Sequence, residues 1–151
     1  MITAFVVLLL DQITKQTIKI LLEPNESISV IKGIFEITYV GNKGAAFGIL
    51  PGYQKLFISV STVVVLMIFI LFLFKQFDDK ISNIAFGLIM GGSIGNMIDR
   101  IISGSVIDFF DFKIWPVFNI ADSAVFIGMF FIIWKYIILE RGGNKDAPGI
   151  N

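Results

Sequence analysis

Nineteen consecutive residues, Leu56 to Phe74, carry no charge. At 1.5 Å per helical residue such a run reaches about 28 Å, close to the roughly 30 Å hydrocarbon core of a bilayer. A single segment at that depth finds no water for its backbone, so it must be helical. The rest of the chain has to be built around a membrane helix, and its composition agrees. Hydrophobic residues make up 56% and charged residues 16%, against about a quarter charged in average soluble domains.

Three further segments read as spans. Residues 81–102 are softened by Ser82, Asn83, Ser93 and Asn96, and residues 119–139 are uncharged from Ser123 until Lys135. Residues 1–22 are the weakest by hydropathy, because they carry Asp11, Gln12, Lys15 and Lys19. The two lysines are long enough to snorkel to an interface. The opening residues lack the basic start and small-x-small site of a cleaved leader, so they read as the first half of a helix that continues through Asp11. With 54–74 as the second span, the expectation is one membrane-embedded domain over residues 1–141. It is an all-α bundle of four transmembrane helices with both termini on one side. Lys and Arg near the span ends show no clear excess on either face. The Lys75–Lys80 loop and Arg141 with Lys145 weakly favour termini inside, and residues 142–151 are expected to form a disordered cytoplasmic tail.

Between the first two spans, about residues 25–50, the character changes. ISVIKGIFEITYV alternates around a Lys32-Gly33 turn, so Phe35, Ile37 and Tyr39 share one strand face. This predicts a small hairpin or sheet on the membrane surface. GNKGAAFG follows, with small residues that allow close backbone approach.

The chain has no Cys and no His. That removes disulfides, thiolate nucleophiles, imidazole bases, Ser-His-Asp triads and the usual zinc sites. Twelve basic residues balance twelve acidic ones, so no broad basic surface for nucleic acid is expected. Acid–base chemistry near neutral pH falls to carboxylates. Four of them, Asp11, Asp99, Asp108 and Asp122, lie in or at the ends of apolar segments. A charge at the centre of a spanning helix costs about 2.5–3.5 kcal/mol on insertion scales, so four invite a functional reading.

Gly87, Gly91 and Gly95 recur every four residues, the small-xxx-small pattern of membrane helix packing. Packing is the commoner role for such glycines. Asn96, Asp99 and Arg100 follow within one turn of one another. Asp99 and Arg100 can simply neutralise each other, and an orienting role suits them slightly better than a catalytic one. Asp108 sits in GSVIDFFDF, expected as a loop, where flanking aromatic residues draw it towards lipid and desolvation raises a carboxyl pKa. Asn119 is an expected N-cap of the last helix. It places Asp122 at N3, where the dipole favours a carboxylate, although a purely stabilising capping residue is an equal alternative. The loop through Trp115-Pro116 is short enough to bring Asp108 and Asp122 together. Two carboxyls sharing a proton are the working parts of an aspartic protease, which needs no metal or cofactor.

DQITK, NKGAAFG, GGSIGNMIDR, VIDF and FNIADS, in that order and spacing, resemble the motifs of the bacterial lipoprotein signal peptidases (signal peptidase II). The resemblance covers about Asp11 to Gly128. It implies an intramembrane aspartic endopeptidase of the bacterial cytoplasmic membrane. Such an enzyme cuts prolipoproteins before a diacylglyceryl-modified cysteine, near the extracytoplasmic face, with lipid as its surroundings. It further implies Asp108 and Asp122 as the catalytic pair, and Asn42, Asn96, Arg100 and Asn119 as substrate-binding residues. Asp11, Asp99, Gly44 and Ala121 become structural or positioning residues. Asp99 also lies in a matching motif, but Asp108 is preferred because Arg100 beside Asp99 would keep that carboxyl ionised. A monomer suffices, since both aspartates come from one chain. Two rival readings stand beside this one. In the first, Asp108, Asp111 and Asp122 hold magnesium for a phosphotransferase. In the second, the buried carboxyls carry protons in an ion-coupled transporter.

Overall fold

The computed structural model describes residues 1–44, 52–74 and 79–143. Four helices and three strands follow in the order α1 (Ile2–Leu21), β1 (Ser27–Ile31), β2 (Phe35–Asn42), α2 (Gln54–Leu73), α3 (Lys80–Ser103), β3 (Val106–Asp111) and α4 (Ile120–Gly143). Among the described residues, three helices are long and apolar enough to cross a membrane: Gln54–Leu73, Lys80–Ser103 and Ile120–Ile137. The expectations for Ala45–Gly48 of GNKGAAFG and for a disordered tail after Gly143 fall outside the described residues.

Burial is inverted relative to a soluble protein. α1 buries one stripe, Ala4, Val7, Asp11, Lys15 and Ile18, at the three- and four-residue spacing of a single helix face. Its other faces expose Ile2, Phe5, Leu9, Ile13 and Ile20. Asp11 and Lys15 point in, Lys19 near the end of the helix is exposed, and most of the large hydrophobes point out. α2 buries only Ile68 of its twenty residues and exposes Val60, Val63, Leu66 and Ile70. Apolar exteriors on this scale belong against lipid or another apolar phase.

α3 is the central post, packing on α1, α2 and α4. Its glycines make that possible. A Cβ on Gly87 would lie 2.8 Å from Cβ of Thr3, and one on Gly91 would lie 2.5 Å from the Ala4 carbonyl oxygen. One on Gly95 would overlap the Asp11 carboxylate, and one on Gly92 the Ala121 carbonyl oxygen. Gly128 of α4 meets the Ala85 carbonyl oxygen in the same way, at 2.6 Å. The every-fourth-residue row is thus the α1 contact, while Gly92 and Gly128 seat α4. Asp79 caps the start of α3, accepting from the Ser82 N–H at 2.9 Å, and pairs with Lys135 of α4. Gly104, at φ 69°, ends the helix in the left-handed conformation a glycine adopts without strain.

The sheet caps the end of the bundle where α1 and α3 finish and α2 and α4 begin. It is antiparallel in the order β1-β2-β3. The hairpin turns through Gly33 at φ 75° as its sequence predicts. The expected loop around Asp108 is instead the third strand. Val106–Asp111 is covered on both faces and buried at all but Phe110, so it shows a near-continuous apolar run and not an alternating one. Its partner β2 is also distant in sequence. Ile107 and Phe109 of β3 pack on Ile18 of α1 and on Leu22, which caps that helix, with Ile37, Tyr39 and Ile120 around them. That cluster anchors the sheet to the bundle.

Candidate active site

Side chains alternate along a strand, so Ile107 and Phe109 facing α1 turn Asp108 to the opposite face. Asp108 is 2% exposed. One of its oxygens accepts from Asn119 Nδ2 at 2.7 Å and the other from Asn42 Nδ2 at 2.8 Å. Asn42 lies opposite Val106 in the β2–β3 ladder, diagonal to Asp108 on the same face. Beyond the strand, the chain from Phe112 to Phe118 loops back. The Phe118 carbonyl accepts the N–H groups of Phe109 and Phe110 at 3.0 and 2.8 Å. This closure delivers Asn119 to the start of α4. Asn119 Oδ1 accepts the Asp122 N–H at 2.9 Å, and Asp122 Oδ2 accepts the Asn119 N–H at 3.2 Å. Asp122 thus stands at N3 of a reciprocal capping box, as its sequence predicts.

Asn96 of α3 completes the link. Its Nδ2 donates to Asp122 Oδ1 at 2.7 Å, and its Oδ1 accepts from Asn119 Nδ2 at 3.1 Å. The two carboxyls are joined by the path Asp108, Asn119, Asn96, Asp122, and both line one cavity of ≈ 830 Å³. Its polar end holds Asn42, Asn96, Arg100, Asp108 and Asp122; Phe57, Val60, Val125, Phe126 and Met129 line the rest. Burial first, and the Asp122 charge second, push the Asp108 carboxyl up to about 7, against the Asn42 and Asn119 donors that favour its charged form. A buried acid beside a second carboxylate can hold a proton at neutral pH.

Behind this pair lies a second polar layer. Lys15 is 1% exposed, so it does not snorkel as expected. Its ammonium lies 2.8 Å from Asp11, 2.9 Å from Asp99 and 2.9 Å from Asn96 Oδ1. The salt partner of Asp99 is therefore Lys15 and not Arg100. The inward stripe of α1 has no water to reach, whereas two carboxylates lie within contact. Gln12 Nε2 donates to Asp99 at 3.1 Å, and among the described residues no buried side-chain nitrogen or oxygen lacks a partner. Lys15 and Gln12 were missed by sequence reasoning. The available signal was an Asp and a Lys four apart inside an apolar helix.

Residues 3–138 match the family model of Signal peptidase (SPase) II. The chain belongs to the signal peptidase II family. It is 48% identical over 143 residues to the lipoprotein signal peptidase of Halothermothrix orenii, covering 95% of this chain and 98% of that one. It is 38% identical over 148 residues to the lipoprotein signal peptidase of Moorella thermoacetica, covering 98% of each. The fold superposes on a solved bacterial membrane enzyme with TM-score 0.86 and 32% identity, covering 99% of this chain and 93% of that one. A second bacterial membrane enzyme gives 0.80 and 34%, over 89% and 90%.

Of the remaining expected site residues, Arg100 lines the cavity, whereas Gly44 and Ala121 do not. Arg100 donates to the Asn96 carbonyl at 3.3 Å and to the Gly44 carbonyl at 3.2 Å, and its guanidinium lies 5.1 Å from the centre of the Phe57 ring. Gly44 in turn donates its N–H to Asn42 Oδ1 at 2.9 Å, which ties the start of NKGAAFG to the site. Ala121 is fully buried, and its N–H donates to Asp11 Oδ1 at 3.0 Å. Asp111 faces away from Asp108 along β3. It accepts from Thr38 at 3.1 Å and pairs with Lys113 at 2.7 Å. The three acids of the magnesium reading do not converge.

Proposed function

We propose that this peptidase is an intramembrane aspartic endopeptidase that cleaves prolipoproteins at the amide bond before a diacylglyceryl-modified cysteine. The hydrogen-bonded path from Asp108 through the fully buried Asn119, and then through Asn96, to Asp122, with both carboxyls lining one cavity, carries the reading. Protonated Asp108 donates to the scissile carbonyl oxygen while Asp122 takes a proton from the attacking water. The tetrahedral intermediate then collapses as Asp122 returns that proton to the leaving nitrogen, Asp108 takes back a proton from a hydroxyl of the intermediate, the C=O bond re-forms and the C–N bond breaks. The pair titrates as a unit, so the proton is shared more than owned. Asn42, Asn96, Asn119 and Arg100 supply N–H donors around the reacting carbonyl and the substrate backbone.

α2 and α4 both pack on α3, and the side chains between them, Phe57, Val60, Val125, Phe126 and Met129, make an apolar cleft leading to the carboxyls. A signal-peptide helix entering sideways would lie there with its acyl chains still in lipid. α1 is the fourth span: Asp11 and Lys15 are matched inward, the exposed Lys19 lies in its last turn, and its apolar faces turn out. With four spans the sheet and the carboxyls share one membrane face, assigned to the outside of the bacterial cytoplasmic membrane, and one copy of the chain contains the whole site.

The test is cleavage of a prolipoprotein peptide by purified protein, with mass spectrometry of the products. The expected outcome is a single cut before the modified cysteine, and none in the peptide lacking the diacylglyceryl group. Equal cleavage of both peptides, or a cut elsewhere, would overturn the substrate assignment.

A further inference from the structure

Lys15 is, with Asn119 and Asp11, among the largest fully buried side chains of the described residues. An ammonium has three N–H donors, and here each has an acceptor: Asp11 Oδ2, Asp99 Oδ2 and Asn96 Oδ1, at 2.8, 2.9 and 2.9 Å. Each acceptor residue leads one step further. Asp11 accepts the backbone N–H of Ala121 at 3.0 Å. Asp99 accepts the backbone N–H of Ile107 at 3.3 Å. Asn96 donates to the Asp122 carboxylate at 2.7 Å. Ile107 and Ala121 are the residues immediately before Asp108 and Asp122. One cation on α1 therefore holds the main chain just ahead of both carboxyls, on β3 and on α4.

Stability alone does not call for this arrangement. Buried ion clusters can often be exchanged for well-packed apolar residues at no cost, so seating α1 against the α3 glycines does not by itself require charge. What an apolar stripe lacks is a grip on two specific amides. Asp11 and Asp99 without a cation between them would repel, and their hold on Ile107 and Ala121 would relax.

We propose that Lys15 is a positioning residue of the hydrolysis: the cation of a clasp, Asp11–Lys15–Asp99, that fixes the backbone before Asp108 and Asp122 and so sets the relative placement of the two carboxyls. This rests on the aspartic reading above. Of the groups that hold substrate, Lys15 touches only Asn96, which also donates to Asp122, so the clasp acts chiefly on the chemical step and little on binding.

The experiment is steady-state cleavage of the diacylglyceryl peptide by Lys15→Met, Lys15→Met/Asp99→Asn and Asp108→Asn, with rates expressed per folded molecule from monodispersity and thermal unfolding. Misplacing reacting groups by about 1 Å can cost about 10²-fold. The expected result is a kcat lowered by about that factor in Lys15→Met, with KM within about twofold of the wild type. The double variant, which removes the repulsion between carboxylates, regains stability but not kcat. A kcat per folded molecule close to wild type in either Lys15 variant overturns the proposal. So does failure of both to fold, which would make Lys15 an ordinary structural ion. If Asp108→Asn is inactive while the Lys15 variants match wild type, only the clasp falls. If Asp108→Asn is active, the aspartic reading falls and takes the clasp with it.

Discussion

Replacing Asp108 by Asn removes a titration that the fold opposes. The ordinary value of the carboxyl is 3.8, and burial with the Asp122 charge raises it to about 7. The folded protein therefore keeps a proton that the unfolded chain releases between those two values. Stability contributed by this group is fully present below about 4 and is lost as pH rises towards 7, the reverse of a salt-bridged aspartate. From 3.8 to about 7, at about 1.4 kcal/mol per pH unit, the loss is on the order of 4 kcal/mol. Asn does not ionise, so Asp108→Asn escapes that loss. Its amide will face the N–H donors of Asn42 or Asn119, a mismatch costing about 1–3 kcal/mol, but this offset is the same at every pH. The assay is thermal unfolding of wild type and variant in detergent from pH 4 to pH 9. Between pH 4 and pH 8 the variant should gain about 4 kcal/mol on wild type, on the order of 10 °C in Tm, while being inactive throughout. Parallel curves for the two proteins would refute the raised Asp108 titration, and with it the assignment of Asp108 as the proton-holding partner.

Three other outcomes are expected. Gly92→Ala forces a methyl onto the Ala121 carbonyl oxygen and to 2.8 Å from Val125 Cγ2; it should destabilise by about 1–3 kcal/mol and lower activity, read by thermal unfolding and peptide cleavage. Asn119→Ala deletes the cap on Asp122 and the donor to Asp108 together, so about 1 kcal/mol of stability and at least about 10²-fold in kcat should go. Asp79→Ala removes the α3 cap and the partner of Lys135 at the far end of the bundle; stability should fall by about 1 kcal/mol with kcat per folded molecule unchanged.

How far the sequence could be read follows from the range of the interactions. Leu56 to Phe74 declares a membrane helix alone, because length and the absence of charge are local. The Asn119 cap and Asp122 at N3 were legible for the same reason: a capping box spans four residues. Strand β3 was not legible, since a segment buried on both faces shows no alternation and its pairing with β2 joins Asn42 to Val106 across two helices. Nor was Lys15. On α1 alone it looks like a lysine that reaches for water; only the approach of Asp99 on α3 turns it inward. The glycine row was read as packing, and it packs. Its chemical consequence, that Gly95 leaves room for the Asp11 carboxylate, depends on which helix arrives there.

The central claim is that Asp108 and Asp122 together perform the hydrolysis. It is tested most directly by cleavage of a diacylglyceryl-modified prolipoprotein with EDTA present, using purified wild type beside Asp99→Asn, Asp108→Asn and Asp122→Asn. The expected result is undiminished wild-type cleavage in EDTA, abolition in Asp108→Asn and Asp122→Asn, and partial loss in Asp99→Asn, whose amide can still accept from the Ile107 N–H. Full loss in Asp99→Asn with activity retained in Asp108→Asn would contradict the account and move the catalytic pair into the layer around Lys15.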